Sequence, residues 1–231
     1  MADAPRVAVI IPALNEEQSI GRVLEALPEE LDAEVVVVDN GSIDRTAEIA
    51  AERGARVVRE PRRGYGGACL AGIAALRAPE VVAFLDADFS DDPALLTALV
   101  RPICDGRADL VIGSRMLGER EPGALPPHSL FGNWLAGMIL SHLYGQRTTD
   151  LGPFRAIRYS TLRQLRMQDR GYGWTMEMQA KAAKLRVRTL EVPVPYRRRI
   201  GRSKITGSVW AAAQASAIIL TTAFRLLWWR P

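Results

Sequence analysis

Histidine and cysteine are scarce in this chain, and their scarcity removes several kinds of chemistry. Of 231 residues only two are histidine, His128 and His142, and two are cysteine, Cys69 and Cys104. His142 falls inside an apolar stretch, where a packed or surface imidazole is the simpler reading, so Ser-His-Asp hydrolysis has no support. The cysteines stand far apart and form no C-x-x-C, so neither a disulfide framework nor a zinc site is expected. The glycine signatures for phosphate are missing as well. There is no G-x-x-x-x-G-K-[ST], and RRGYGGA at 62–68 misses the G-x-G-x-x-G spacing, which argues against a P-loop kinase and a Rossmann dehydrogenase. A nucleotidyltransferase is disfavoured too, because no glycine-rich loop follows the first strand. The opening MADAPRVAVIIPALNEE carries acidic residues early and no cleavage pattern, so a secretory signal is not expected and a cytoplasmic protein is. Lysine is nearly absent: Lys181, Lys184 and Lys204 are the only three among 30 basic residues.

What is present reads as an ordinary globular protein of one large or two small domains, 48% apolar and 24% charged. The formal charge of +4 is carried by arginine, which suits bidentate phosphate recognition. That balance fits phosphorylated ligands or an anionic membrane surface without choosing between them, and no nucleic-acid partner is expected.

Apolar runs at 7–11, 34–39, 56–59, 81–85 and 110–112 read as strands, the first stopped by Pro12. Helical spacing fills 14–27, 44–53, 65–76 and 93–100, the last capped by Asp92 with Pro93 as its first residue. Strand and helix in alternation, with continuous apolar strands, predict a mostly parallel sheet covered on both faces. Ligands of such sheets bind beyond the carboxyl ends of the strands. Asn15 and Glu16, Asp39, Asp86 and Asp88, and Ser114 and Arg115 all follow strand ends, so one crevice would collect them.

Asp86-Ala87-Asp88 places two carboxylates at i, i+2 where a strand ends. Such a pair can turn toward one hard divalent cation, with substrate phosphates completing the shell. Taken alone, the spacing is equally that of a solvated turn. A metal held there wants a diphosphate, whose departure it would stabilise.

After Arg115 the pattern changes at Pro122, Pro126 and Pro127, a subdomain transition rather than a flexible linker. The nearly apolar stretch 129–144 is too short to span a bilayer and reads as a buried helix or one at a membrane interface. Helices are expected at 160–165 and 176–185, and a strand at 186–194. A basic run, Arg197, Arg198, Arg199, Arg202 and Lys204, precedes 20 uncharged residues at 205–224. In that tail Trp210, Ala213, Ala217, Leu220, Phe224 and Leu227 share one stripe while Gln214, Thr221 and Arg225 fall elsewhere. This predicts an amphipathic helix over 208–231 that either lies on a membrane or packs on its own domain.

PALNEE, VVVVDNGSIDRT, RGYGGA, LDADFSDDP, VIGSRM, TDLGPFRAI, YGWTMEMQAKA and EVPVPYRRRIGRSKITGS, in this order, resemble a family 2 glycosyltransferase of the GT-A fold. The branch they resemble is that of the dolichyl- or polyprenyl-phosphate mannose and glucose synthases, over residues 7 to about 207. The resemblance implies a catalytic domain over 1–207, with a nucleotide-sugar half to about 120 and an acceptor half beyond. It implies that Pro12, Asn15, Glu16 and Asp39 line the nucleotide pocket, and that Asp86 and Asp88 hold Mg²⁺ or Mn²⁺ on the diphosphate. Arg115 would face the phosphates, with Asp150 and Arg155 at the sugar and acceptor end. Tyr172, Trp174 and Glu177 would shape the sugar pocket, and Arg202, Ser203 and Lys204 would bind donor or acceptor phosphate. Asp88, Arg115, Asp150 and Glu177 would carry the catalysis.

The chain departs from the family pattern in two places. Asn40 stands where a second aspartate is common, and Ser90 where a glutamine can stand near the metal, so Asp91 or water would have to complete the ligand set. The implied reaction is transfer of a hexose from a UDP- or GDP-sugar to a lipid phosphate at the inner face of the cell membrane, with inversion. A lipid phosphate needs little help from a base. An alcohol acceptor would need Asp150 or Glu177 to take its proton. The alternatives are a soluble hydroxyl acceptor on the same fold and a nucleotide-binding protein without catalysis.

Overall fold

The computed structural model describes residues 7–201 and 209–230, with side chains described up to 201 and from 217 onward. The strands are β1 (Val7–Ala13), β2 (Glu34–Asp39), β3 (Arg56–Arg59), β4 (Val81–Phe84), β5 (Leu110–Ser114), β6 (Arg155–Arg158) and β7 (Thr189–Pro193). The helices are α1 (Ile20–Glu25), α2 (Thr46–Glu52), α3 (Tyr65–Ala75), α4 (Leu96–Cys104), α5 (Pro127–Tyr144), α6 (Tyr159–Leu165), α7 (Trp174–Lys184) and α8 (Val209–Arg225). One sheet runs β3-β2-β1-β4-β6-β5-β7, parallel except for β6, which is antiparallel to both neighbours. The fold is thus the expected α/β arrangement, a mostly parallel sheet flanked by helices. The two proposed halves share this sheet, because β6 comes from beyond the proline-rich turn yet lies between β4 and β5.

Alternate residues of the strands bury on opposite faces. Val7, Val9 and Ile11 of β1 pack with Leu96, Leu99 and Ile103 of α4 on one side. Ile10 of the same strand packs with Ala68 and Cys69 of α3 and Met178 of α7 on the other. A third cluster joins α5, α7, α8 and the turn after α8 through Leu140, Met176, Ala180, Ala223 and Leu226.

Pro12 does not stop β1. The Ile10 carbonyl accepts from Leu85 N–H and the Ala13 carbonyl from Asn40 N–H. By alternation the backbone of Pro12 faces the β4 side, past the end of that strand, so its missing N–H leaves no ladder bond unmade. The first helix starts at Ile20 rather than at 14, because residues 14–19 are committed to the turn that follows β1.

The C-terminal helix forms as expected, but its buried face differs from the expected stripe. Thr222, Ala223 and Leu226 point inward, while Phe224 and Trp228 point outward. Trp210, Ala213 and Gln214 carry side chains outside the described residues. The stripe fails because α8 is packed from two directions, by α5 and by α7. Tyr144 of α5 donates to the Ala223 carbonyl, and the Lys184 ammonium of α7 donates to the Leu227 and Trp229 carbonyls at 2.6 and 2.8 Å.

Candidate active site

The chain leaves β1, turns out through β2 and β3, and returns at β4 beside β1, so the sheet order reverses between β1 and β4. The carboxyl ends of β1, β2, β4 and β5 share one edge there, the crevice that parallel sheets offer to ligands. Asn15 sits just beyond β1 with φ of 51°, a left-handed conformation that asparagine tolerates. Its amide N–H donates to Ser42 Oγ at 3.0 Å, and its Oδ1 accepts from Ile43 N–H at 2.9 Å. Glu16 N–H donates to Thr46 Oγ1 at 2.8 Å, and Asp39 Oδ1 accepts from Ser42 N–H at 2.9 Å. These bonds zip the β1 turn to the β2 turn and bring Pro12, Asn15, Glu16 and Asp39 to one side of the crevice.

Asn40 belongs to this scaffold rather than to a ligand contact. Its side-chain NH₂ donates to the carbonyls of Glu60 and Arg62 at 2.9 and 2.8 Å, and its Oδ1 accepts from Gly64 N–H at 2.8 Å. A carboxylate could make only the last of these. The departure from a second aspartate therefore follows from the packing of the β3–α3 turn.

The acidic stretch after β4 turns inward. Asp88 Oδ1 accepts from Ser90 N–H at 2.9 Å and from Ser90 Oγ, while Asp88 Oδ2 meets the Arg199 guanidinium at 3.1 Å. Arg199 also reaches Glu16 at 3.0 Å, and Ile200 N–H donates to the Asp88 carbonyl, so the segment after β7 straps across the Asp86–Asp88 turn. Asp86 Oδ1 and both Asp91 oxygens are shielded from solvent and have no hydrogen-bond partner. Burial, then the neighbouring Asp88 carboxylate, raises Asp86 from 3.8 to about 7; burial also holds Asp91 well above the usual carboxylate range. Unpartnered oxygen donors next to a second carboxylate are what a hard divalent cation would satisfy, so Asp86 and Asp88 fit that group. Among the described residues no three His, Cys, Asp or Glu side chains converge as a ligand cluster. Substrate oxygens would have to complete the shell.

Across the crevice, Arg115 is locked to Asp150. Its Nε and Nη2 donate to the two carboxylate oxygens at 2.8 and 2.6 Å, and its backbone N–H adds a bond of 2.7 Å. Its guanidinium lies 5.0 Å from the centre of the Tyr196 ring. Burial opposes its charge, but Asp150 outweighs burial and raises its pKa. The pair is bidentate and nearly dry, which fixes the arginine against the sheet edge.

Three predicted site residues are placed differently. Arg155 is fully buried under the 150–154 turn, donating to the Leu151, Gly152 and Thr175 carbonyls, and burial lowers it to about 10; it braces the turn and does not reach an acceptor. Trp174 is a core residue, its ring edge-on to Phe84 at 5.9 Å, rather than a wall of a sugar pocket. Glu177 is buried with Lys181 at 2.7 Å and accepts from the Gln168 and Asp169 N–H groups, so its carboxylate braces the 168–173 turn instead of facing a substrate. Tyr172 remains on that turn, half-buried. Arg202, Ser203 and Lys204 lie outside the described residues. The amides of Gly66 and Gly67 are also occupied, by the Gly171 and Arg170 carbonyls, so the glycine cluster is a packing surface and not an anion cradle.

Arg199, Tyr65 and Tyr196 were not legible as members of this site, whereas Asp91 is expected from the sequence as a substitute metal ligand. Arg199 belongs to the basic run, but nothing in the run says that one arginine turns back to Asp88. Tyr65 carries only its place among glycines as a signal, yet its buried phenol has no hydrogen-bond partner and feels the Asp86 carboxylate.

The family model described as "Glycosyl transferase family 2" matches residues 8–168. An uncharacterized glycosyltransferase of Mycobacterium tuberculosis is 39% identical over 211 residues, covering 88% of this chain and 91% of that protein. An undecaprenyl-phosphate mannosyltransferase of Micrococcus luteus is 33% identical over 221 residues, covering 88% and 89%. Among solved structures, glucosyl-3-phosphoglycerate synthase from Mycobacterium tuberculosis, in complex with Mn²⁺, UDP and glucosyl-3-phosphoglycerate, superposes with a TM-score of 0.74. It is 25% identical and covers 96% of this chain and 81% of its own.

Proposed function

The chain belongs to glycosyl transferase family 2, and from that premise we propose that it moves a hexose from GDP-mannose or UDP-glucose to a polyprenyl phosphate, with inversion at the anomeric carbon. One observation carries the choice of acceptor. Asp150 and Glu177, the two carboxylates that would serve as base for an alcohol, are both spent, one on Arg115 and the other on Lys181 and two amides. A phosphate nucleophile arrives ionised and needs neither. The named acceptor of the Micrococcus relative points the same way.

In this reading Pro12, Asn15, Glu16 and Asp39 take the nucleotide. Asp86 and Asp88 would hold Mg²⁺ or Mn²⁺, which supplies positive charge to the departing diphosphate. Asp150 holds Arg115 toward the phosphates, so the charge of that guanidinium is positioned before the sugar arrives. Tyr172 borders the sugar, and Arg202, Ser203 and Lys204 receive the acceptor phosphate.

The acceptor's lipid tail calls for a lipid-facing surface on the cytoplasmic side of the membrane. No helix among the described residues is long and apolar enough to cross one. On α5, Phe131 is 61% and Trp134 59% exposed, with Met138 one turn further on, and Trp228 after α8 is 78% exposed. Exposed aromatic rings aligned on a helix are the chemistry of interfacial docking.

The test is incubation with radiolabelled GDP-mannose and UDP-glucose, with and without undecaprenyl phosphate. Label entering the organic phase only with the lipid is the expected result. Label that stays aqueous with a soluble acceptor would favour the second reading, a hydroxyl acceptor, which the glucosyl-3-phosphoglycerate in the solved neighbour motivates. Flotation with anionic vesicles tests docking: Phe131→Ser with Trp134→Ser should leave the float, and unchanged flotation would discard the lipid-facing role.

A further inference from the structure

We infer that Asp169 is a positioning residue that ties the C-terminal helix to the metal–diphosphate side of the site, through Thr222 on one side and the glycine entrance of α3 on the other. The inference rests on the donor site proposed above. Asp169 lies on the 168–173 turn between α6 and α7, far in sequence from both partners. Its Oδ1 accepts from Gly171 N–H at 2.8 Å, and its Oδ2 accepts from Thr222 Oγ1 at 3.3 Å, with the Arg225 guanidinium at 3.8 Å. Its own N–H donates to Glu177 at 2.7 Å. Its side chain therefore joins the turn to α8, while its backbone N–H joins the turn to α7.

Gly173 gives independent support. Its φ of −74° would suit any residue, yet a Cβ there would lie 2.3 Å from Asp169 Oδ2 and 2.4 Å from Thr222 Oγ1. The volume a side chain would need is taken by the Asp169–Thr222 contact.

From the turn the connection runs to the site through backbone. The Arg170 carbonyl accepts from Gly67 N–H at 2.9 Å and the Gly171 carbonyl from Gly66 N–H at 3.1 Å. A Cβ on Gly66 would fall 2.1 Å from the Asp169 carbonyl, so the turn lies directly against the first turn of α3. Tyr65 opens that helix, between Gly64, held by Asn40, and Gly66, held by the turn. The Asp86 carboxylate acts electrostatically on its phenol, and the Tyr65 and Asp86 Oδ1 oxygens are both shielded with no hydrogen-bond partner. Loosening Asp169 should therefore loosen the wall against which Asp86 is set, without touching any ligand.

The test uses full-length wild type, Thr222→Val, Thr222→Ser and Asp169→Asn. Amide exchange at Gly66 and Gly67 is followed by mass spectrometry, and Mn²⁺·UDP and Mn²⁺·GDP binding by calorimetry. Thr222→Val, nearly isosteric, removes one hydroxyl bond and should speed both amides and weaken the bound diphosphate about fivefold, with Thr222→Ser restoring both. Asp169→Asn should act in the same direction if it folds. Wild-type exchange at Gly66 and Gly67 in Thr222→Val, with faster exchange confined to α8, overturns the inference. Faster exchange with unchanged nucleotide affinity overturns it too. If not even wild type holds either nucleotide, the donor-site reading fails, while the exchange result still decides the coupling.

Discussion

The carboxylates at the carboxyl edge of the sheet fall into two groups that differ in what their oxygens touch. On the β4 side, Asp86 and Asp91 keep shielded oxygens with no partner, and Asp88 is shared between Ser90 and Arg199. On the α7 side, Asp150 and Glu177 are saturated, each by a buried cation and by backbone N–H groups. Buried polar atoms are normally satisfied, so unpaired ones are what a ligand completes. Saturated ones build the wall. The same residue type thus does two jobs on one edge, and exchange of a single atom should tell them apart.

The largest effect should come from the saturated group. Glu177→Gln leaves the fully buried Lys181 ammonium without its counter-charge, a loss of ~3–5 kcal/mol in unfolding free energy. Chemical denaturation should show it, while transfer per folded molecule stays within a few fold. A large fall in transfer at unchanged stability would instead make Glu177 a participant in chemistry and dissolve the comparison.

Asp88→Ala is the converse. Removing a carboxylate that would hold the metal on the diphosphate should lower transfer about 10³-fold, while the lost Ser90 and Arg199 bonds cost about 1–3 kcal/mol of stability, less than Glu177→Gln. Transfer unchanged in this variant, measured with Mn²⁺ present, would refute the metal assignment.

Asp86→Asn sharpens the contrast, because here function and stability should move in opposite directions. Asp86 is raised from 3.8 to about 7, so the folded chain holds this proton more tightly than the unfolded one. Wild type then loses stability as pH climbs from about 4 to 7, and the loss is complete above that. Asparagine carries no such cost. At pH 8 without divalent metal the variant should be more stable by about 4 kcal/mol and nearly inactive with metal restored. A melting temperature that falls in Asp86→Asn would mean that the aspartate is stabilised by something other than a cation.

These two groups also mark how far the sequence could be read. Strands such as 34–39 and the acidic turn after β4 were legible because apolar runs and turn residues are local signals. The crevice followed, because strand ends of a parallel sheet share an edge. Which carboxylate is free and which is spent was not legible. Glu177 meets Lys181 at i, i+4, a spacing common on exposed helices, and nothing local says that this pair is buried under the 168–173 turn. Arg155 and Trp174 were misplaced for the same reason: their burial depends on β6 entering the sheet antiparallel between β4 and β5 and on α7 closing over it. The inward face of α8 depends on two partners, so one helical stripe could not reveal it.

Asn40 gives the smallest and cleanest test, because it separates local pattern from contact. Asn40→Asp restores the second aspartate that the resemblance leads one to expect, and would be harmless if this position touched only the base of the nucleotide. The structure predicts otherwise. Aspartate keeps the bond from Gly64 N–H but turns an oxygen toward the Glu60 and Arg62 carbonyls, where the amide now donates twice. Two lost donors and a carboxylate facing carbonyl oxygens should cost ~2 kcal/mol, read as a lower denaturation midpoint at unchanged slope. Nucleotide affinity should fall with the loosened β3–α3 turn and not rise. A variant as stable as wild type that binds UDP or GDP more tightly would move Asn40 from the scaffold to the ligand-facing group.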